Sequence, residues 1–428
     1  MFSIERSRDF VGQEVVLRGW LANLRSSGKI HFLIVRDGTG FMQCVLVKGD
    51  VPDEDFERAG SLGLESSVEI TGIIREDPRA PGGYEMSVRG LKLVSQSVDY
   101  PISKKEHGVA FLMPLRHLWV RSRKQWALLR IRAEVERAIF DWLDGHGFVR
   151  FDAPILTPSA CEGTSTLFEV DYFGERAYLS QSGQLYQEVG AYAFGKVYCA
   201  GPTFRAEKSK TRRHLTEFWM VEPEVAWAGL DDIILIIEEM IVYVVERVLE
   251  NRKTELGILE RDTRPLEAVK APFPRITFRE AWEIVGKAGL PVKPEEDFGA
   301  DEETVISQAF DKPVFITHYP AAIKPFYMKP DPKDPTVVLN TDLFAPEGRG
   351  EIVGGSQRED DPDALLERMK AQNMPIDDYQ WYLDIRRYGR VPTSGFGLGV
   401  ERTVAWIAGV HHIREAIPFP RMLERIYP

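Results

Sequence analysis

Arginines set among aromatic residues and glycines are the side chains of this chain that most nearly specify a chemistry. Phe204-Arg205-Ala206-Glu207 opens a charged loop, KSKTRRHLTEF, which ends in the strand-like run Phe218-Trp219-Met220-Val221-Glu222-Pro223-Glu224. A strand, a loop and a returning strand of this kind can hold an adenine between an aromatic ring and an arginine while presenting a fixed guanidinium to a phosphate. Near the C-terminus, Gly395-Phe396-Gly397-Leu398-Gly399-Val400-Glu401-Arg402 runs into a helical pattern, TVAWIAG. Its glycines allow close backbone approach, and Arg402 falls at a helix start, where anions bind favourably. A third segment, HGFVRFDAPILTP, puts Gly147, Phe148 and Pro154 at a helix-to-strand join. Neither GxxxxGK[ST] nor GxGxxG between a strand and a helix occurs, so a bound nucleotide must be held by arginines.

These segments need a frame. From Glu14 to about Val94 the chain is a series of short β-rich runs, EVVLRGWLA, KIHFLIVRD, FMQCVLVKG, SSVEITGIIRE and YEMSVRGLKLV. Turn signals at Gly28, Asp37-Gly38, Gly40 and Pro81-Gly82-Gly83 separate them, and the alternating apolar residues predict five strands of a small antiparallel barrel. Five strands in about 100 residues, the first three closely meandering, match an OB-fold, a common platform for single-stranded nucleic acid. On fold alone, a purely structural β-domain is equally open. Residues 1–97 make up this domain, and 98–118, without clear periodicity, read as a linker.

The remainder, 119–428, begins with a periodic helix from about Arg121 to His146, stopped by Gly145 and Gly147. Strand-like runs (RAYLS, KVYCAGPTF, EFWMVEPEVAWA) then alternate with helices, the clearest from Asp231 to about Asn251. Strands outnumber helices from there to Arg358. This irregular order predicts an α+β domain, an antiparallel sheet flanked by helices, rather than regular βαβ alternation.

Composition narrows the partners. At roughly 150 residues per domain, 428 residues suggest two or three domains. The 54 basic against 65 acidic side chains leave a net charge of −11, which excludes a globally basic nucleic-acid binder but not a local basic face. Cys44, Cys161 and Cys199 stand far apart with no metal-ligand spacing, which argues against disulfides and structural zinc and for a reducing compartment, read as the cytoplasm. The start, MFSIERSRDF, has no apolar leader core, and the most apolar stretch, Ile233 to Val248, is broken by Glu238, Glu239 and Glu246, so no membrane partner is expected.

In this order, behind an OB-fold, the three segments resemble the three signature motifs of class II aminoacyl-tRNA synthetases. The resemblance covers essentially the whole chain and points to the subclass of aspartyl-, asparaginyl- and lysyl-tRNA synthetases, whose members carry an anticodon-binding OB-fold before the catalytic antiparallel sheet. Bacterial aspartyl enzymes also hold a large inserted domain between the second and third motifs. The roughly 125 residues between Glu224 and Glu351 are too few for it, so the chain resembles the compact archaeal-type aspartyl and asparaginyl branch.

Two segments bear on the amino acid. In aspartyl enzymes a QSPQ-x-x-KQ segment supplies a lysine to the substrate's side-chain carboxylate; here it reads Gln181-Ser182-Gly183-Gln184-Leu185-Tyr186-Gln187-Glu188. With Gln187 in the lysine's place, a buried aspartate carboxylate would lose its partner at a cost of several kcal/mol. A neutral carboxamide fits better, with Glu188 accepting its NH2 protons. The run Gly350 to Glu359, GEIVGGSQRE, is similar to GEIIGGSQRE of asparaginyl enzymes, with Gly354 in the pocket and Arg358 donating to the side-chain oxygen. The implied reaction is ATP-dependent activation of asparagine and its transfer to tRNA(Asn), with aspartate as the second candidate substrate.

The resemblance also implies the remaining roles. Arg205 holds the substrate α-carboxylate and the ATP α-phosphate. Phe218 stacks on adenine, Glu207 accepts from its amino group, and Leu215 with Gly399, Val400 and Glu401 lines the ATP site. Arg213, His214 and Arg402 clamp the triphosphate. Glu351 with Asp342 ligates Mg²⁺, while Glu162, in the CEGTST loop, and Gln184 bind the α-amino group. The substrate carboxylate itself attacks phosphorus, so catalysis is positioning and electrostatics by Arg205, Glu351 and Arg402. In the barrel, Phe32 and Gln43 read the central anticodon base, with Arg25 and Arg36 beside them. The partners implied are tRNA(Asn), asparagine, ATP and a second copy in a C2 homodimer, and no DNA.

Plainer readings compete. Without the resemblance Phe32 is ordinary barrel core, Glu351 a surface acid, and His214, beside Arg212 and Arg213, a solvated loop residue. Other functions on the same scaffold are an aspartyl-type synthetase of relaxed tRNA choice, an asparagine synthetase using ammonia, and a catalytically dead RNA-binding paralogue. Gln187 counts against the first, the intact barrel against the second, and the Arg205, Glu351 and Arg402 set against the third.

Overall fold

The computed structural model describes residues 2–162 and 167–428, so most of the CEGTST loop lies outside the described residues. The chain divides into two units, Met1–Leu112 and Met113–Pro428. In the first, strands β1 (Glu14–Ser27), β2 (Ile30–Arg36), β3 (Phe41–Val47), β4 (Ser67–Glu76) and β5 (Tyr84–Ser95) close a barrel in the order β1-β2-β3-β5-β4. Alternation along β2 and β3 sends Leu33, Val35, Met42, Cys44 and Leu46 into the barrel core. Phe32, Ile34, Gln43 and Val45 are left half-buried on the outer face. Phe32 is therefore not barrel core. Four of the strand pairs are antiparallel as expected, but the barrel closes through a parallel β3–β5 pair, which departs from the antiparallel expectation. A short helix, α1 (Asp53–Gly60), buries Phe56 and Ala59; two apolar positions in so short a run carry too little periodicity to announce it.

The division between the units falls inside the segment read as a linker. Residues from Met113 onward belong to the second unit, and the wholly buried Arg116 shows why. Its guanidinium donates to the carbonyls of Glu415, Ile417 and Pro418 at 3.2, 2.7 and 2.8 Å.

The second unit is built on an eight-stranded sheet. Its strands are β6 (Val149–Arg150), β7 (Lys196–Phe204), β8 (Glu217–Ala226), β9 (Arg275–Thr277), β10 (Val314–Thr317), β11 (Asn340–Ala345), β12 (Gly350–Gln357) and β13 (Thr393–Gly399). They lie in the order β9-β10-β11-β12-β13-β8-β7-β6, antiparallel through the centre and parallel only at the two outer pairs. Two long helices, α2 (Arg123–Gly145) and α4 (Leu230–Asn251), bracket in sequence the shorter α3 (Gln184–Phe194). The Ser122 side chain accepts from Gln125 N and so starts α2 two residues later than the apolar pattern suggests. One stripe of each long helix, Ile131, Val135 and Ile139 with Ile237, Ile241 and Val244, packs in the main core with Val221 and Val225 of β8. The period of two then puts Phe218, Met220, Glu222 and Glu224 on the opposite face of β8, toward an open cleft. Two further helices, α5 (Ala300–Gln308) and α7 (Val400–Ala408), border that cleft, and α6 (Gln380–Arg387) packs behind it against α3. Among the described residues no helix is long and apolar enough to cross a membrane.

Candidate active site

The cleft has a volume of about 660 Å³, within the range that encloses a small-molecule ligand. One end is aromatic and cationic. The β7–β8 register sets Thr203 opposite Phe218, so Arg205 leaves β7 beside that ring, and its guanidinium carbon lies 5.4 Å from the ring centroid. Arg205 Nε is buried without a hydrogen-bond partner, a donor that a bound anion would satisfy. Leu215 is buried in the same wall. Glu207 faces His214 at 3.8 Å, and burial together with Arg402 pushes the His214 imidazole below its usual range, which favours the neutral ring.

Arg402, in the first turn of α7, donates from Nη1 to the backbone oxygen and to Oε2 of Glu351, each at 3.0 Å. Burial disfavours the Glu351 charge, but Arg402, Lys324 and Arg205 outweigh it and hold the carboxyl below the usual range. Gly354 lies between this acid and Asp342: a Cβ there would stand 3.0 Å from Glu351 Oε1 and 3.4 Å from Asp342 Oδ1. Burial pushes Asp342 up to about 7 against the pull of Lys324, whose ammonium is 3.5 Å from it and 2.9 Å from Asp297. Two carboxylates thus converge, and among the described residues no cluster of three or more His, Cys, Asp or Glu ligands gathers.

At the other end Glu224 and Arg358 form a buried pair. Arg358 Nε and Nη2 donate to the two Glu224 oxygens at 2.9 and 2.8 Å, and Nη1 donates to Ser356 Oγ at 2.7 Å. Glu222 accepts from Gly183 N at 2.8 Å and from the Ser182 hydroxyl. Glu162 accepts from Tyr327 Oη at 2.8 Å, and Gln184 borders the same end of the cleft.

Five expected contact residues are buried behind the cleft or engaged within the protein. Gln187 points away from the cleft, its amide nitrogen donating to the Phe151 carbonyl at 2.5 Å. Glu188 lies behind Arg358, where it accepts from Arg386, Tyr382 and Gln184 and leaves nothing for a substrate amide. Both lie one helical turn beyond Gln184 on the face it shares: Gln184 borders the cleft, while Gln187 and Glu188 are fully buried behind it. Arg213 is consumed as a staple, donating to Glu303, Thr304 and the Gly348 carbonyl at 2.7, 2.7 and 2.6 Å. Glu401, buried, accepts from Arg132 Nη1 at 2.6 Å and Trp219 N at 3.0 Å, anchoring α7 to α2 and β8 instead of contacting a nucleotide. Val400 is likewise buried in the main core, while Gly399, which precedes α7 as its N-cap, borders the cleft. The sequence reading assigned no role to Glu224, Glu222 or Lys324. The period-two alternation of β8 that exposes Phe218 carried the signal for the two glutamates.

On the barrel, Arg25 and Phe32 are register partners, and the guanidinium carbon sits 4.7 Å from the ring centroid. Gln43 donates to Glu85 Oε2 at 3.0 Å on the same outer surface. Arg36 is engaged by Glu65 and stacks on Trp20 at 4.8 Å, so its head is committed to its own domain.

Comparison with known proteins agrees with this architecture. The family model "tRNA synthetases class II (D, K and N)" matches residues 109–423, and "OB-fold nucleic acid binding domain" matches 15–94. The asparagine-tRNA ligase of Desulforamulus reducens is 57% identical, covering 98% of this chain and 97% of the relative. That of Thermus thermophilus is 57% identical, covering 98% of each. Among solved structures, asparaginyl-tRNA synthetase from Pyrococcus horikoshii complexed with asparaginyl-adenylate is similar with a TM-score of 0.94 at 47% identity, covering 98% of this chain and 97% of that one.

Proposed function

The chain belongs to the class II tRNA synthetases of the aspartate, lysine and asparagine group, and from that membership we infer that it activates L-asparagine with ATP and transfers it to tRNA(Asn). The observation that carries the choice of amino acid is the Arg358–Glu224 pair. A carboxamide has one accepting and one donating edge, and the pair offers one guanidinium and one carboxylate side by side at the closed end of the cleft. Asparagine would take the oxygen to Arg358 and the NH2 to Glu224, a polar discrimination of roughly 10⁴-fold that needs no editing site.

The rest of the cleft follows the path of the reaction. Phe218 stacks the adenine while Glu207 accepts from its amino group. Arg205, with its unpartnered Nε, holds the asparagine α-carboxylate against the α-phosphate and stabilises the charge that develops as the carboxylate oxygen attacks phosphorus and pyrophosphate leaves. Arg402 and the neutral His214 hold the outer phosphates. Glu162, Gln184 and Glu222 surround the α-amino group. Glu351 and Asp342, on either side of Gly354, fit Mg²⁺, which takes one or two carboxylates and completes its shell with phosphate and water oxygens; bound there it neutralises phosphate charge.

Phe32, Arg25 and Gln43 offer an anticodon base a ring, a cation and an amide on the outer barrel surface. We place the enzyme in the cytoplasm as a C2 homodimer. Support for the dimer comes from the edge strand β6 and the segment after it, where Val149, Ile155 and Leu156 are 42%, 44% and 40% exposed. The test is charging of tRNA(Asn) and tRNA(Asp) transcripts with labelled asparagine and aspartate. Asparagine on tRNA(Asn) alone is expected, and aspartate on either transcript at a comparable rate would overturn the reading.

A further inference from the structure

Behind the carboxamide site lies a second buried ion pair that borders no part of the cleft. Glu188 of α3 faces Arg386 of α6, and their side chains are 0% and 1% exposed. Glu188 Oε2 accepts from Arg386 Nη2, while Oε1 accepts from Tyr382 Oη at 2.7 Å and from Gln184 Nε2 at 3.1 Å. Arg386 Nε is fixed in turn on the Glu359 carbonyl at 3.1 Å. Arg358 stands between the two acids: it grips Glu224 with two donors, and its Nε is 3.9 Å from Glu188 Oε1. Two guanidinium groups and two carboxylates therefore share one water-excluded cluster in equal number.

That equality matters because excess charge is costly where water is excluded. A carboxamide entering beside Arg358 leaves the balance intact. A carboxylate of the same shape brings a negative charge for which the cluster has no spare cation. Hydrogen-bond complementarity at Arg358 and Glu224 orients the side chain, but the cost of the wrong charge depends on every ion in the cluster. We propose that Glu188 is a positioning residue for specificity: by cancelling Arg386 it keeps the asparagine pocket electrically neutral and so shuts out aspartate. The inference rests on the reading of the chain as an asparagine-activating enzyme.

The test is amino-acid-dependent ATP-pyrophosphate exchange with asparagine and aspartate at about pH 8, where carboxylates are ionised. Glu188→Gln leaves two cations against one carboxylate, and the aspartate-to-asparagine ratio of kcat/KM is expected to rise on the order of 100-fold. Adding Arg386→Met to it restores equality and is expected to bring the ratio back to within about fivefold of the parent. A purely structural role would slow both substrates together and leave the ratio alone. An unchanged ratio in a Glu188→Gln protein that melts as a folded enzyme overturns the proposal. So does a raised ratio that the second substitution fails to reverse, since hydrogen-bond geometry would then be the cause. Should Glu188→Gln not fold, Arg386→Met alone is expected to lower aspartate exchange more than asparagine exchange, and a parallel loss contradicts the account. A parent enzyme with no asparagine exchange would instead refute the assigned reaction.

Discussion

In the proposed reading a few charged side chains carry the choice between an amide and an acid, and Glu224 is where that choice can be titrated. Burial pushes its carboxyl up to about 7, with Arg358 pulling down and Glu188 pushing up. The folded protein therefore holds a proton there that an unfolded chain would release nearer 4.5, so this group's contribution to stability falls as pH rises from about 4.5 to 7. Below about 7 the protonated acid no longer accepts from a carboxamide with both oxygens and can donate to a carboxylate. Asparagine-over-aspartate selectivity, measured as the kcat/KM ratio in pyrophosphate exchange, should fall as pH is lowered from about 8 to 6, while free aspartate stays ionised. A flat ratio over that range would mean that Glu224 keeps its charge throughout. Arg205, Phe218 and Arg402 stood out from glycine and aromatic context, whereas Glu351 and Arg358 stood out only through the resemblance. Glu224 was not, because an acid in an apolar run shows its importance only when the strand's facing is known. Gln187 and Glu188 misled for the converse reason: a motif places residues along a helix but does not say which turn reaches the cleft.

Among the elements, strands were easier to read than the helices that cover them. Alternation located the barrel strands and the β7–β8 pair closely, whereas α1 and α5 went unread and the parallel closures at β3–β5 and at the sheet edges have no local signature. Arg213 belongs to this scale. Its guanidinium ties the loop after β7 to Glu303 and Thr304 of α5 and to the Gly348 turn, all at side-chain exposures of 7% for Arg213 and 14% for Glu303. Arg213→Ala would strand the Glu303 carboxylate, and removal of one partner from such a pair costs about 3–5 kcal/mol. Chemical denaturation should show a loss of that order, with the ATP KM rising as the loop bearing His214 loses its anchor. A variant as stable as the parent but unable to bind ATP would return Arg213 to direct contact with the triphosphate.

At the level of the whole molecule, the two units divide the work between recognising the tRNA and activating the amino acid. Phe32 was ambiguous in the sequence, barrel core or base platform, until alternation on β2 placed it outside with Arg25 over its ring. Phe32→Ala should leave asparagine-dependent pyrophosphate exchange unchanged and weaken charging by about 1–3 kcal/mol, roughly 5- to 150-fold in kcat/KM for tRNA(Asn). Equal losses in both assays would signal a damaged fold rather than a lost stacking surface. The central claim, that Arg358 and Glu224 read a carboxamide in an ATP-activating cleft, is met most directly by pyrophosphate exchange with asparagine, aspartate and lysine side by side, without tRNA. Exchange with asparagine alone is the result predicted; exchange driven by aspartate as well as by asparagine would contradict it.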